Sequence, residues 1–242
     1  MSVSRQKGKI LNIVPMSTQS KLWYLENFSM LSTLSPKEMM MMDNAAAMRK
    51  AGKNQIIYFP EDASKNIYML KAGKVKISKV SSDGKEVILA ILGPGEVFGE
   101  LAITGQGKRE EIAEATEDTI ICAVKVEDLK MMMEMNPKFN FQITKLIGFR
   151  LKKIQNRFES LIFKSSDQRV VAFIKELADE HGKPVLGSTE EKLIQLNITH
   201  EDIAKLTATS RQTVTTVLNK LEKEGVITYD RKSIFVKKLS AL

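Results

Sequence analysis

Arg211, Gln212, Thr213, Thr215 and Thr216 stand close together near the end of the chain, and their side chains suit one kind of chemistry. Arg can donate a bidentate pair to guanine O6 and N7, Gln can pair with adenine, and Thr can reach a thymine methyl or a phosphate. To act together they need a helix that buries its back. Val214, Val217, Leu218 and Leu221 recur at helical spacing on the opposite side. Ser210 (or Thr209) is placed to cap this helix, and Gly225 falls where a left-handed C-terminal residue belongs. A first helix precedes it. Thr199 is its cap, Glu201 and Asp202 lie in its first turn, and Ile203, Ala204 and Leu206 form a small apolar face. His200 at its start joins Ser210, Arg211, Gln212, Thr213 and Thr216 as a candidate DNA contact, and Thr207, Ala208 and Thr209 make the break. Any helical hairpin has a polar face, so the residues after Gly225 carry weight. Val226–Tyr229 and Ser233–Lys237 read as two short strands about an Asp230-Arg231-Lys232 turn. A hairpin beside such a helix predicts a winged helix-turn-helix whose second helix enters a DNA major groove.

Composition agrees and excludes other classes. The 242 residues suit two domains, and 37 Lys and Arg against 29 Asp and Glu give a formal charge of +8, suited to a polyanion. The strongest basic run is Lys138, Lys145, Arg150, Lys152, Lys153 and Arg157. Arg5, Lys7, Lys9 and Lys21 add charge at the N-terminus, where a solvated, frayed tail is the expectation. Cys122 is the sole cysteine and sits in an apolar run, so it reads as a small core residue. It supports neither an internal disulfide nor a cysteine-ligated iron–sulfur cluster. His181 and His200 are far apart, so no metal spacing appears. The Met39–Met42 and Met131–Met133 runs point to successive helix faces and read as core filler rather than a soft-metal site. The expectation is no metal and no firm cofactor. No Ser/His/Asp array or phosphate loop supports an enzyme. No apolar run reaches membrane-spanning length, no signal peptide is legible, and a reducing cytoplasm is the expected setting. A protein-contacting C-terminus is the rival reading, but it would need an exposed apolar stripe where Arg211 and Gln212 stand.

Helix is expected from about residue 20 to 50, with Leu22, Leu25, Phe28 and Leu31, then Ser35 as cap and Pro36 in the first turn. From Gln55 short apolar runs alternate with turns at Pro60-Glu61-Asp62, Ala72-Gly73, Asp83-Gly84 and Gly93-Pro94-Gly95, the texture of an antiparallel sandwich or barrel. One long helix is expected over residues 139–164. Ile147, Leu151, Ile154, Phe158 and Leu161 follow heptad spacing and predict a dimer seam, while Phe141, Leu146 and Phe149 are expected to face the chain's own β-domain. Ser165-Ser166-Asp167 is a hinge and cap, Arg169–His181 a further helix, and Gly182-Lys183-Pro184 its end. The division expected is 1–21 basic segment, 22–136 β-domain with flanking helices, 137–164 dimerisation helix and 165–242 winged helix-turn-helix.

This order, and the residues themselves, resemble the Crp/Fnr family of bacterial transcription regulators. The stretch IIYFPEDASKNIYMLKAGKVKISKVSSDGKEVILAILGPGEVFGELAI is similar to the family's β-roll, and SRQTVTTVLNKLEKEGVI to its recognition helix. The resemblance implies an α+β chain: a cupin-like, cyclic-nucleotide-binding antiparallel β-roll, a long dimerisation helix and a winged helix-turn-helix. It also implies a homodimer on palindromic double-stranded DNA, a small-molecule effector in the β-roll, and RNA polymerase as partner. Gly99, Glu100 and Leu101 match the family's phosphate cassette and Arg109 matches its arginine, but Glu110 and Glu111 replace Ser or Thr and Ala. On the long helix Ile154 and Gln155 stand where nucleotide-responsive members place small hydroxyl residues. The expectation is that cyclic AMP is not the effector, Arg109 being satisfied by neighbouring carboxylates from Glu100, Glu110 or Glu111. A cassette that still binds a nucleotide is the alternative. In the reader, Gln212 replaces a frequent Glu, Thr216 a frequent second Arg, and Ala208 a common turn glycine, which strains it if φ is positive.

Overall fold

The structure, a computed structural model, describes residues 28–105, 107–195, 198–230 and 233–242. The helix expected at Leu22 and Leu25, the basic N-terminal residues and the Arg231-Lys232 turn tip lie outside the described residues. The chain divides into two units at Arg150/Leu151, inside the long helix.

In the first unit, helix α1 (Pro36–Ala45) starts at a capping box in which Ser35 accepts from the Glu38 amide and Glu38 accepts from the Ser35 amide. The expected helix does not continue to residue 50. Ala47–Ala51 is strand β1, because its backbone pairs along the edge of β8 (Thr119–Lys125). The remaining strands are β2 (Ile56–Tyr58), β3 (Asn66–Ala72), β4 (Val75–Val80), β5 (Glu86–Leu92), β6 (Val97–Phe98) and β7 (Ile112–Ala115). They form two antiparallel four-stranded sheets, β1-β8-β3-β6 and β2-β7-β4-β5. Successive side chains of a strand point to opposite faces. Along β3, Ile67 and Met69 therefore enter one core while Tyr68 and Leu70 enter the other. Along β8, Cys122 and Val124 join the first core, and Ile121 and Ala123 the second. The second core lies between the sheets. The first is closed by α1, by α2 (Val126–Met135) and by the start of the long helix α3 (Pro137–Phe163). Met42, Met48, Met69 and Met132 fill it, and Cys122 is buried there as expected.

Of the three α3 residues expected to face the β-sheets, Leu146 does so and Phe141 and Phe149 do not. Phe139 and Ile143 are buried and Leu146 packs beside them, whereas Phe141 and Phe149 are 67% and 60% exposed. The hundred-degree step per residue sets Phe141 and Phe149 on the side away from Phe139 and Ile143.

The second unit contains the rest of α3, α4 (Ser166–His181), β9 (Gly182–Pro184), β10 (Lys192–Ile194), α5 (His200–Thr207), α6 (Arg211–Lys223), β11 (Ile227–Tyr229) and β12 (Ile234–Val236). Ser165 caps α4 through a capping box with Gln168. Gly182-Lys183-Pro184 does end α4, but as a strand: the wing pair β11 and β12 is extended by β10 and β9 into a sheet of order β11-β12-β10-β9. Val170, Ile174, Ile203, Val214, Leu218, Ile227 and Val236 close one core under it.

Gly73, in the turn between β3 and β4, takes φ +84, and a Cβ there would lie 2.5 Å from the Asp118 carbonyl and 2.7 Å from Thr119 Cα. Backbone cannot yield as a flexible side chain does. Gly73→Ala is therefore expected to destabilise the first unit by about 2–4 kcal/mol, combining left-handed strain with overpacking. Urea unfolding should show a lowered midpoint with an unchanged slope.

Candidate DNA-reading head and effector cassette

The helix-turn-helix forms as its local signals require. Thr199 Oγ1 accepts from the Asp202 amide at 3.1 Å, and Asp202 accepts from the Thr199 amide at 3.0 Å, closing a capping box. Ser210 Oγ accepts from the Thr213 amide at 3.0 Å and lies 2.9 Å from Thr213 Oγ1. Ser210 and Thr213 thus shape the helix start. Val214, Val217, Leu218 and Leu221 are buried, and Gly225 takes φ +69 after the helix. Arg211, Gln212 and Thr216 are exposed on the outer side of α6. Ala208 does adopt the left-handed conformation, at φ 49 and ψ 51.

His200 packs inward more than a free contact would. Its Nδ1 lies 2.9 Å from Thr215 Oγ1, and its ring centroid 5.6 Å from that of Tyr229. Thr215 Oγ1 donates its proton to the Arg211 carbonyl at 3.0 Å. A hydroxyl has one proton, so in that arrangement His200 Nδ1 must be the donor and Nε2 is left as the acceptor. Tyr229 Oη donates to Asn219 Oδ1 at 2.7 Å, so the wing strand also grips α6. Partial burial and then the Arg211 charge hold His200 below its usual value of 6.5.

In the first unit, the cassette is built on the turn from β6 into a short 3-10 helix, Glu100–Thr104. Arg109 is 3% exposed. Its guanidinium donates from Nη1 to the Gly99 carbonyl at 2.9 Å and from Nη2 to the Asn66 carbonyl, and it lies 4.5 Å from the Tyr58 ring centroid. A Cβ at residue 99 would meet Arg109 Nη1 at 2.9 Å, so a glycine there lets the arginine close in. Tyr68 stacks on Phe98 at 5.0 Å beside Tyr58. Among the described residues Arg109 Nε has no hydrogen-bond partner.

The carboxylates expected to partner Arg109 are engaged elsewhere. Glu110 is exposed and pairs with Lys79 at 2.7 Å, which holds its carboxyl below the usual range. Glu111 is buried and accepts from Tyr58 Oη at 3.0 Å. Burial first, and the Glu111 charge second, push the Tyr58 phenol up. Glu100 forms an ion pair with Arg150 of α3, which also donates to the Val97 carbonyl. The segment leading into β7 therefore buries Arg109 and Glu111 and leaves Glu110 exposed between them. Leu101 is 45% exposed beside this group. Ile154 and Gln155 stand exposed on the part of α3 that belongs to the second unit. In the sequence Arg150 is legible only as one charge in a basic run; its place one helical turn before Ile154 is the signal that could have found it.

Along α3, Ile147, Leu151, Ile154, Phe158 and Leu161 are 44%, 56%, 65%, 63% and 50% exposed, an apolar stripe left open among the described residues. Among the described residues no helix is long and apolar enough to cross a membrane, and no cluster of His, Cys, Asp or Glu is set to hold a metal.

Comparison with known proteins matches both units. Residues 48–136 fit the family described as cyclic nucleotide-binding domain, and residues 168–242 that described as Crp-like helix-turn-helix domain. The chain is 28% identical over 209 residues to the cyclic AMP receptor protein of Thermus thermophilus, covering 86% of this chain and 92% of that one. It is 28% identical over 211 residues to the regulatory protein HlyX of Actinobacillus pleuropneumoniae, covering 87% and 86%. FixK2 from Bradyrhizobium japonicum shares the fold, with a TM-score of 0.71 at 22% identity over 81% of this chain and 94% of that one.

The histidine geometry has a measurable consequence. Because the folded state holds the His200 proton less tightly than the unfolded chain, stability of the second unit should fall as pH drops from about 7 through 6.5 and level off below the depressed value. His200→Asn should flatten that slope in thermal melts recorded across this range. An unchanged slope would mean that another group carries it.

Proposed function

Because this chain belongs to the Crp/Fnr family, transcription regulators with a cyclic-nucleotide-binding-type domain and a helix-turn-helix DNA-binding domain, we propose that it acts as a homodimer on palindromic operators and that its effector is not cyclic AMP. One observation carries the DNA part. Arg211, Gln212 and Thr216 project from the start of a capped helix whose other side is fully engaged in a core. Arg211 is the guanine-reading residue, Gln212 and Thr216 set the neighbouring bases, and Ser210, Thr213 and His200 hold the helix start and meet the phosphates. The apolar stripe on α3 supports the dimer, since burying it against a second copy of itself removes from water side chains that the chain alone leaves exposed. A two-fold dimer demands a two-fold site, with half-sites about one helical turn, ~34 Å, apart. RNA polymerase is the protein partner this reading assigns.

The effector part rests on the cassette. Arg109 already gives donors to two backbone carbonyls, Glu100 is engaged by Arg150, and Glu111 places a carboxylate inside the same group. A nucleotide phosphate would have to displace those carbonyls and tolerate the carboxylate. Glu110, turned outward onto Lys79, does not contribute that repulsion. The unpartnered Nε of Arg109 favours a second reading, in which the cassette keeps an anion-binding capacity that a cyclic nucleotide can use.

Three outcomes are expected. In gel-shift titrations ligand-free protein should bind its operator, and Arg211→Ala should cost ~1–3 kcal/mol while relaxing the preference for one base pair; unchanged affinity and preference would remove α6 from the groove. In sedimentation the parent should run as a dimer, and Ile154→Glu or Phe158→Glu as monomers, because each places like charges face to face across the symmetry axis. Calorimetry with cyclic AMP and cyclic GMP should show no dissociation constant below about 10 μM, equivalent to about −7 kcal/mol. Tighter binding would establish the second reading, and Glu111→Ala should then tighten it further.

A further inference from the structure

Arg169 stands near the N-terminus of α4, where a cation works against the helix's own dipole. Its side chain leaves that helix and fans across two others. Nε donates to the Thr207 carbonyl at 2.8 Å, Nη2 to the Ala208 carbonyl at 2.8 Å, and Nη1 to the Lys164 carbonyl at 3.1 Å. Thr207 and Ala208 end α5, and Lys164 follows the last residue of α3. One guanidinium therefore closes the C-terminal ends of both helices, where unsatisfied carbonyls and the negative dipole ends lie. It also holds the carbonyl of the left-handed Ala208, the residue that sets the turn into α6. Among the described residues no apolar side chain of α3 enters the head's core, and the exposed Lys153–Glu180 pair at 2.9 Å adds a polar link.

We propose that Arg169 is a positioning residue that fixes the seam helix α3 and the helix-turn-helix break in one mutual orientation. The spacing between two reading helices in a dimer then depends on its fork. The DNA consequence rests on the dimeric reading given above; the orientation itself does not. Lys cannot substitute, because a single ammonium cannot reach three divergent carbonyls with fixed geometry.

The test reads orientation directly. Spin labels at Glu159→Cys on α3 and Glu222→Cys on α6, both exposed, are introduced into full-length protein diluted with unlabelled chains; Cys122 is buried. The parent should give one narrow distance, Arg169→Gln a broad or double distribution, and Arg169→Lys an intermediate one. In parallel, DNA binding is measured on operators whose half-site spacing is changed by one base pair either way. The parent should prefer its best spacing by about tenfold, and Arg169→Gln by less than about threefold, with dimerisation unchanged. An unaltered narrow distance in Arg169→Gln overturns the proposal. So does loss of the head's circular dichroism, which would make the fork a support of the fold alone. If distances broaden but the parent shows no spacing preference, the palindromic reading fails and the role of Arg169 stands.

Discussion

Two strands with apolar side chains on both faces hold the first unit together. β3 and β8 each send alternate residues into the helix-covered core and into the inter-sheet core, so neither strand has a solvent side. A strand that serves two cores cannot slip by one residue, because the slip would exchange both sets at once. The fixed register decides that Tyr68 stacks on Phe98 and that Asn66 offers its carbonyl to Arg109. The cassette therefore inherits its geometry from apolar packing rather than from its own polar residues.

That inheritance bears on ligand choice. The guanidinium of a buried arginine needs acceptors, and here backbone carbonyls and aromatic faces supply them. In the reading proposed above, an effector succeeds by replacing those acceptors at no loss, which sets a higher demand than filling an open charged pocket. The same unit commits its carboxylates elsewhere: Glu100 to Arg150, Glu110 to Lys79 and Glu111 to Tyr58.

The second unit solves a different problem. Short helices have marginal intrinsic stability. α5 and α6 are held by caps at Thr199 and Ser210, by a shared core, and by side chains from outside the motif: His200 on Thr215, Tyr229 on Asn219 and Arg169 on the turn. None of these contacts uses the side chains of Arg211, Gln212 or Thr216, which stand exposed on α6.

Everything the sequence decided by itself was written within a few residues. The caps at Ser35, Ser165, Thr199 and Ser210 each depend on a partner three residues on. The helical spacing that buries Val214, Val217, Leu218 and Leu221 and the turns were legible for the same reason, whereas the left-handed φ of Ala208 was fixed only by the structure. The changes of period along the chain gave the order of domains, and the resemblance named it. What only the tertiary structure decided involves partners far along the chain. Residues 47–51 have no local preference for a strand and become one against β8, some seventy positions away. β9 and β10 are too short to be seen except as additions to the wing sheet. Phe139 and Ile143 rather than Phe141 and Phe149 are buried because the sheets, not the helix, choose which face is covered. Arg109 meets carbonyls instead of carboxylates, and Arg169 joins two helix ends, because backbone acceptors carry no signature in side-chain sequence and become visible only when the fold brings them within reach.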